Sequence, residues 1–285
     1  MATNLAESGL SSGNKTKRLH VLLWGPPGSW KTVMAHGMPN TRTIDFDDGL
    51  QSVEWAILAG KIKKELSEII YKTILPDGRD KSSILLMLDE ASDQIDEWLA
   101  DGTEWDTLII DSASGLNEAS IVKGLDENRR LGQSKSWADW RTSGWTVRPM
   151  RIQDWGSAGY LQLKFIEWCR SLNKNIVIIA HEYNNTDERG VTVSYEPLLI
   201  GQNRQLVPKS FDEVWYAHMA GTRQQPVGKI QTTSGGKRHC GSRIGCLDPI
   251  EVLDFYAFRD KVAKFYKIPA EDLWTAKATK EDAMS

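Results

Sequence analysis

Short apolar runs rich in β-branched residues alternate along this chain with stretches whose apolar residues recur every three or four positions. Five of the runs predict buried strands: His20–Trp24, Thr41–Phe46, Thr107–Asp111, Ile176–His181 and Glu213–Ala217. Before the fourth run, helical spacing is seen at Ala158, Leu161, Phe165, Trp168 and Leu172. Continuous apolar strands that alternate with helices predict an α/β fold with a mainly parallel sheet covered on both faces.

The carboxyl ends of the strands are where such a sheet binds its ligands. We therefore look for chemistry in the polar residues that close the first four predicted strands.

The two ends of the chain differ from its middle. Residues 1–15 are rich in Ser, Asn and Gly and predict a flexible arm. Residues 269–285 are charged and weakly apolar, which predicts a C-terminal tail. Because no repeat or long low-complexity linker separates them, residues 16–268 are expected to form one domain with a small C-terminal extension.

Composition restricts the class of protein. None of the apolar runs approaches the roughly 18 residues of a membrane-spanning helix, and the first residues lack the apolar core of a signal peptide. We expect a soluble, cytoplasmic protein with reduced thiols at its three cysteines. The net charge is −3, so any nucleic-acid binding must come from a local basic patch. The 12 tryptophans are an unusually large supply of flat faces for stacking.

The segment GPPGSWKT follows the first predicted strand and precedes a helix-compatible stretch. It matches the phosphate-loop pattern G-x-x-x-x-G-K-[ST] except at Trp30, where the pattern has glycine. In such loops backbone N–H groups face the phosphates, the lysine reaches the β- and γ-phosphates and the hydroxyl ligates Mg²⁺. The alternative is a plain glycine-proline turn.

We predict that ATP and Mg²⁺ bind here and that the indole of Trp30 points away from them. The predicted nucleotide-binding residues are Gly25, Pro26, Pro27, Gly28, Ser29, Trp30, Lys31 and Thr32.

A phosphate loop needs a second carboxylate for its metal ion, at the end of a neighbouring strand. Asp89 and Glu90 follow an apolar run, but that run has the spacing of an amphipathic helix, so a solvated acidic face is the simpler interpretation. Asp111 ends a run with strand character. Asp111 is therefore the predicted metal-associated carboxylate, together with Thr32.

Taken in order, GPPGSWKT, TIDFDDGL, TLIIDSAS, IVIIAHE and FDEVWYAH resemble the RecA-like ATPase core. The likeness is strongest to the small phage-encoded versions linked to single-strand annealing and recombination, and it covers roughly residues 18–260. It implies a three-layer P-loop NTPase core, Mg²⁺-dependent ATP hydrolysis, and assembly into a homo-oligomeric ring or filament. It also implies binding to single-stranded DNA, with a single-strand-binding protein or replication protein as a possible partner and the host cytoplasm as the location of a phage protein.

The resemblance also implies roles for single residues. Asp47, two residues beyond Asp45, takes the place of the water-activating carboxylate, with Asp48 as a substitute, unless these aspartates only build a turn. His181 takes the place of the residue that senses the γ-phosphate, unless it is simply a buried, hydrogen-bonded histidine. The basic residues that complete a neighbouring subunit's site are sought in GGKRHCGSR, unless this is a solvated loop. The candidates are Lys237, Arg238 and Arg243, and Arg243 is the one that we predict to bind the nucleotide.

RecA-like recombinases hold DNA on two loops, and the first corresponds here to residues 129–151. That segment carries six basic residues, one acidic residue and three tryptophans. Cations would neutralise phosphates while indoles stack on bases of any sequence, unless the tryptophans pack back onto the sheet. The predicted DNA-binding residues are Arg129, Arg130, Lys135, Trp137, Trp140, Arg141, Trp145, Arg148 and Arg151. The second loop, residues 183–204, is polar and long enough to be mobile.

Two other functions remain open. The chain could be an ATP-dependent adaptor, such as a helicase loader, that acts through protein contacts. A small-molecule kinase is the third reading, although the sequence shows no lid-like cluster of arginines.

Overall fold

A computed structural model describes residues 18–75, 83–130, 140–142, 145–147, 152–222 and 224–275. The helices are α1 (Lys31–His36), α2 (Gln51–Leu58), α3 (Ser83–Ala100), α4 (Ala113–Arg130), α5 (Ile152–Ser171), α6 (Asn203–Ser210) and α7 (Phe255–Tyr266). The strands are β1 (His20–Gly25), β2 (Thr41–Asp45), β3 (Ile70–Thr73), β4 (Thr107–Asp111), β5 (Trp140–Thr142), β6 (Trp145–Val147), β7 (Asn175–Thr186), β8 (Thr192–Pro197), β9 (Glu213–Gly221), β10 (Pro226–Gln231), β11 (Gly241–Ser242) and β12 (Ile250–Val252). None of these helices is long and apolar enough to cross a bilayer.

One large sheet organises the molecule, with the strand order β12-β10-β9-β1-β7-β4-β2-β3. Its central strands from β9 to β3 are parallel, whereas β10 and β12 add an antiparallel edge. The five strands predicted from the sequence are β1, β2, β4, β7 and β9, which stand next to one another in this sheet. The predicted α/β class with a mainly parallel sheet is confirmed.

Helices cover the sheet on both faces. Along β1, Leu22 and Trp24 point into a core shared with α3, α4 and α5, while Leu23 points into a core shared with α1 and α7. Every residue of β4 is buried, as expected for a strand between two layers of helices. The predicted three-layer arrangement follows from this division.

The stretch that contains Asp89 is a helix, α3, as its apolar spacing predicts. Ala91 and Ile95 lie on the buried face of α3, and the carboxylate of Asp89 pairs with Lys123 of α4 at 2.6 Å. Asp89 therefore lies on a helix and not at a strand end, which leaves Asp111 as the strand-end carboxylate.

The packed part of the protein extends closer to the C-terminus than the sequence predicts. Leu273 and Trp274 are buried, and the ring of Trp274 stacks on Phe258 of α7 with centroids 5.5 Å apart. The amide of Asn175 donates to the carbonyl of Trp274 at 2.8 Å. The packed region thus extends beyond residue 269, where the tail was expected to start; residues 1–17 and 276–285 lie outside the described part.

The segment expected to form a mobile second loop is instead ordered secondary structure. The end of β7 pairs with β8, from Glu182 opposite Pro197 to Thr186 opposite Thr192. The carboxylate of Asp187 accepts two backbone N–H groups in the connecting turn, each at 2.9 Å. Because β-branched and aromatic residues alternate along 191–195, this stretch favours a strand, and the expectation of a loop was wrong.

Candidate nucleotide-binding site

The carboxyl ends of four parallel strands meet at one edge of the sheet. Gly25 at the end of β1 lies beside His181 of β7, and Asp45 at the end of β2 lies beside Asp111 of β4. Residues that are far apart in the sequence are thereby brought to a single site, at the edge where ligands of parallel sheets bind.

The phosphate loop runs from the end of β1 to the start of α1, and its backbone depends on glycine at two positions. Gly25 has φ 153°, and a Cβ atom there would lie 2.1 Å from the carbonyl oxygen of Ala217. Gly28 has φ 74°, which favours glycine in the same way. At the next special position Trp30 itself adopts the left-handed conformation, with φ 59° and ψ 26°.

The indole of Trp30 is held on the outer side of this loop, between α2 and β10. Its ring centroid is 6.2 Å from that of Trp55, and Lys61 Nζ lies 3.9 Å above the ring. On the other side, a Cβ atom at Gly228 would come within 3.3 Å of the indole. The side chain of Trp30 is thus engaged by neighbouring elements, while its backbone supplies the turn.

Lys31 folds into the loop that precedes it. Its ammonium donates to the carbonyl oxygens of Gly25 and Pro26 at 3.0 and 2.8 Å, and to Ser29 Oγ at 3.3 Å. Burial lowers the pKa of Lys31 to about 8, and the negative charge of Asp111, first among the nearby carboxylates, opposes this shift. The amine therefore lies inside the loop and faces a group of acids.

Thr32 and Asp111 form the most direct contact between the loop and the sheet. Thr32 Oγ1 donates to Asp111 Oδ2 at 2.6 Å. Burial raises the pKa of Asp111 to about 6, and neighbouring aspartates add to the effect. A hydroxyl and a carboxylate are the hard oxygen ligands that Mg²⁺ prefers, so this pair fits the metal expected from the sequence.

In the described residues no cluster of three or more His, Cys, Asp or Glu could hold a metal on its own. Mg²⁺ usually takes one or two protein ligands and completes its shell with water and phosphate oxygens.

The three aspartates after β2 have different surroundings. Asp45 Oδ1 accepts the backbone N–H groups of Asp47 and Gly49 at 3.1 and 3.4 Å, so Asp45 builds the turn. Asp47 and Asp48 are both exposed, and Asp48 has φ 52°. Only Asp47 directs its carboxylate to the site, where Asp47 Oδ2 lies 3.4 Å from His181 Nε2.

Hydrogen bonds lower the pKa of the Asp47 carboxylate. Burial works to raise its pKa, but hydrogen bonds from His181 and Ser112 outweigh burial and hold the pKa of Asp47 below its usual value. His181 is itself held by the backbone, since its N–H donates to Ser114 Oγ at 3.4 Å and its carbonyl accepts Leu198 N–H at 2.8 Å. A pair formed by Asp47 and His181 therefore faces Lys31 across the site.

Two residues of the site were missed by sequence reasoning. Ser112 follows the metal-associated carboxylate, and Glu182 follows His181; the charge of Glu182 acts on Lys31. Both are polar residues one position beyond a predicted strand end, and that position is the only signal the sequence offers for them.

The structure separates the three basic candidates. Arg238 lies at the carboxyl edge, with its guanidinium 4.3 Å from the ring centroid of Tyr216, and Lys237 Nζ donates to the carbonyl of Thr192. Arg243 follows β11, which pairs with the start of β9, and its guanidinium contacts Asp212 at 2.6 Å. Arg243 is therefore at the opposite edge of the sheet and is not part of this chain's own nucleotide site, because the chain has turned back along β9.

Four of the nine predicted DNA-binding residues lie outside the described residues. Arg129 and Arg130 end α4. Trp140 and Arg141 belong to β5 and Trp145 to β6, which form an antiparallel pair with Trp140 opposite Val147. The positions that the structure does not describe are Lys135, Trp137, Arg148 and Arg151.

Comparisons with known proteins show the family to which the chain is similar. A family model described as "AAA domain" matches residues 17–243. A solved KaiC-like protein from Pyrococcus horikoshii is similar with a TM-score of 0.38 and 8% identity, over 74% of this chain and 76% of that one. A solved RadB recombinase is similar with a TM-score of 0.38 and 15% identity, over 75% of this chain and 80% of that one. Among curated protein sequences there is no significant match.

Proposed function

The chain belongs to the AAA domain family of P-loop ATPases, and from that premise we propose that it hydrolyses ATP with Mg²⁺ and binds single-stranded DNA in support of recombination or strand annealing. The observation that carries the ATPase assignment is the hydrogen bond from Thr32 to the buried Asp111, next to the loop that encloses Lys31. This hydrogen bond joins the phosphate loop to the carboxylate that is proposed to hold the metal ion, at one edge of the sheet.

The residues divide the work of hydrolysis between them. Lys31 neutralises the β- and γ-phosphates, and Thr32 and Asp111 hold the metal ion. When bound, Mg²⁺ neutralises charge on the phosphate oxygens. Asp47 is ionised at neutral pH because its pKa is held low, so it can accept a hydrogen bond from a water molecule.

The reaction is an in-line transfer to water. As the water oxygen bonds to the γ-phosphorus, the bond from that phosphorus to the bridging oxygen breaks and ADP leaves. The proton released by the water passes to the carboxylate of Asp47. His181, which contacts Asp47 Oδ2, is placed to respond when the γ-phosphate is present or lost.

DNA binding is proposed for residues 129–151. The six basic residues there can neutralise phosphates, and each indole that stacks on a base contributes roughly 1–3 kcal/mol. Two such stacks would outweigh the repulsion expected from the small net negative charge of the chain. Within this segment, residues 140–142 and 145–147 form the antiparallel pair of β5 and β6.

Assembly into a ring or filament is proposed as well, with cations of one copy completing the site of the next. Arg238 lies over Tyr216, which pairs with Trp24 next to the phosphate loop, whereas Lys237 Nζ donates to Thr192 at the far end of the β7–β8 hairpin. Arg243 could act only on a neighbouring copy, and its side chain is 63% exposed. A single-strand-binding or replication protein is the partner proposed beyond DNA itself, and the cytoplasm, of a host cell for a phage protein, is the proposed location.

Titration with an unstructured oligonucleotide tests the DNA assignment. Tryptophan fluorescence should be quenched, with and without ATP and Mg²⁺, and affinity should fall linearly with salt on logarithmic axes. A matched protein carrying Trp137→Ala and Trp140→Ala should bind markedly less tightly. Absence of quenching at low salt with ATP present would instead favour the adaptor, and ATP turnover that responds to a metabolite but not to DNA would favour the kinase.

A further inference from the structure

Asn117 lies in the second turn of α4 and joins that helix to two other elements. Its Nδ2 donates at 3.0 Å to the carbonyl of Leu198, just beyond the end of β8. Its Oδ1 accepts the side-chain amide of Gln162 of α5. Because one end of the amide faces an acceptor and the other faces a donor, the orientation of the Asn117 side chain is fixed.

Gln162 is fully buried, and its own amide is fixed in the same way. Its Oε1 accepts the N–H of Ile200 at 3.1 Å and Nδ2 of Asn203 at 3.0 Å. Asn203 Nδ2 also donates to the carbonyl of Gly159 at 2.7 Å. Buried amides that satisfy one another hold a single geometry, because a partner left unpaired would cost free energy.

The hydrogen bonds continue from Asn117 to the nucleotide site. Leu198, whose carbonyl is held by Asn117, donates its N–H to the carbonyl of His181 at 2.8 Å. The N–H of His181 in turn donates to Ser114 Oγ at 3.4 Å. Ser114 and Asn117 are at positions i and i+3 and so lie on one face of α4. Both main-chain groups of His181 are therefore held from α4, while its Nε2 lies 3.4 Å from Asp47 Oδ2.

We propose that Asn117 is a positioning residue that fixes His181 in its contact with Asp47, acting through the main chain of Leu198. This rests on the proposed ATPase function. The amide of Asn117 bonds to α5 and to Leu198 rather than to the phosphate loop, so its loss should lower turnover and leave nucleotide binding in place.

The rival explanation is that Asn117 only ties α4 to α5. Asn128 supplies the matched control, because it is an asparagine of the same helix that also bonds to α5. Asn128 is buried, its Nδ2 donates to Asp154 Oδ1 at 2.8 Å, and its Oδ1 accepts Ser157 Oγ at 2.8 Å. These contacts lie about three turns further along α4 than Asn117, so they join the same two helices without leading to His181.

The experiment measures kcat and KM for ATP in the absence of DNA, affinity for a fluorescent ADP analogue, and the melting temperature. Asn117→Ala removes both hydrogen bonds, whereas Asn117→Asp keeps the acceptor for Gln162 and loses only the donor to Leu198. Both variants should lower kcat by about tenfold or more, because a misplaced catalytic group costs that much. Their KM and ADP affinity should remain within about twofold of wild type.

The control variant separates this effect from a loss of stability. Asn128→Ala should melt at least as low as Asn117→Ala, since it breaks a buried hydrogen bond to a carboxylate. Its kcat should nevertheless stay within about twofold of wild type.

A double-mutant cycle with His181→Ala tests the route of the effect. Adding Asn117→Ala to His181→Ala should leave kcat within about twofold of His181→Ala alone, because the side chain to be positioned is already absent. Reductions that multiply would show that Asn117 acts by another route and would overturn the inference.

Unchanged kcat in both Asn117 variants of a protein that hydrolyses ATP would overturn this inference alone. So would a kcat that falls in Asn128→Ala as far as in Asn117→Ala, since that is the behaviour of a contact that only holds two helices together. A wild-type protein that binds ATP and never hydrolyses it would overturn the proposed ATPase function, and the role of Asn117 with it.

Discussion

The two ends of the central sheet hold their buried charges in different ways. At the amino end, the guanidinium of Arg18 lies 3.4 Å from Asp106 Oδ1, and Asn40 Nδ2 donates to Asp106 Oδ2 at 2.6 Å. Glu213 accepts Trp215 Nε1 and two backbone N–H groups. At the carboxyl end, the charges of Asp111, Asp47 and Glu182 act on one buried lysine, Lys31.

This difference separates structural charge from functional charge. A buried carboxylate that meets a full set of donors is stabilised where it is. Asp111 has the Thr32 hydroxyl as its donor and a raised pKa, which marks a site that is short of positive charge. Such perturbed groups in one place are typical of functional sites, and a bound divalent cation would supply the missing charge.

Lys31→Ala should have the largest effect at the carboxyl end. The ammonium can make charge-assisted hydrogen bonds of roughly 1.5–3 kcal/mol each to phosphate oxygens, so losing two of them should weaken ATP binding by about a hundredfold or more. Isothermal titration with ATP and Mg²⁺ measures this. Lys174→Ala is the control at the amino end, where the ammonium donates to the carbonyl of Trp105 at 2.6 Å, and it should bind ATP as wild type does. Wild-type affinity in Lys31→Ala would remove the phosphate-loop assignment.

Asp47→Asn should come next, with turnover reduced by about 100-fold or more, because the amide cannot accept the proton of the attacking water. ATP affinity should change little, since Asp47 does not hold the metal or the phosphates. Steady-state phosphate release gives kcat for this variant and for Asp48→Asn, which changes an exposed neighbour and should be nearly silent. If Asp48→Asn were the slow enzyme, the base would have to be reassigned to Asp48.

The carboxyl edge could be predicted from the sequence to a large extent. Phosphate loop, Asp111, Asp47 and His181 each follow a β-branched apolar run, and parallel strands bring such ends together. The contact between Asp47 and His181 could not be predicted, because it depends on the strand register and on the close approach of Asp47 to Gly115 of α4.

Other placements needed the three-dimensional structure. Arg243 was predicted to complete the nucleotide site of a neighbouring copy, and this stays a prediction. The strands β10 and β11 return antiparallel to β9 and carry Arg243 to the other edge of its own sheet. The β7–β8 hairpin was missed because its polar residues hide a period-two pattern. Trp274 was assigned to a tail because no local pattern shows that Phe258 and Asn175 will receive it.

Asp106→Asn tests the amino end by removing a carboxylate that is matched with donors. The substitution turns a charge-assisted contact into an amide facing Arg18 and Asn40, so the free energy of unfolding should fall by about 2–3 kcal/mol. Urea unfolding at pH 7 measures the loss, and ATP affinity of the folded variant should be unchanged. A variant as stable as wild type would show that this pair is not the structural contact described here.

Asp111→Asn should raise the free energy of unfolding at neutral pH, whereas Asp106→Asn should lower it. The folded pKa of Asp111, about 6, lies above the usual value of an unfolded aspartate. Its protonated form is therefore favoured by folding, and the stability this gives is present at low pH and lost as pH rises through about 6. At pH 7 without metal, the variant should be more stable than wild type by about 1–3 kcal/mol.

Urea unfolding in a chelator from pH 4 to pH 7 measures this difference directly. Asp45, Asp47 and Glu213 also have shifted pKa values, but they are present in both proteins, so the gap between the two curves isolates Asp111. The gap should open between about pH 4 and pH 6. A variant less stable than wild type at pH 7 would mean that Asp111 is structurally matched, like Asp106.

Trp30→Gly should have the smallest effect on the site. The backbone of Trp30 already has the left-handed conformation that glycine supplies in other phosphate loops, and its indole is engaged by Trp55, Lys61 and β10. Relief of the left-handed strain, about 1–2 kcal/mol, opposes the loss of those contacts, so the melting temperature should change little. ATP affinity, measured by titration, should stay within about threefold of wild type. A loss of tenfold or more would place the indole against the nucleotide, because the glycine variant keeps the backbone turn and removes only the ring.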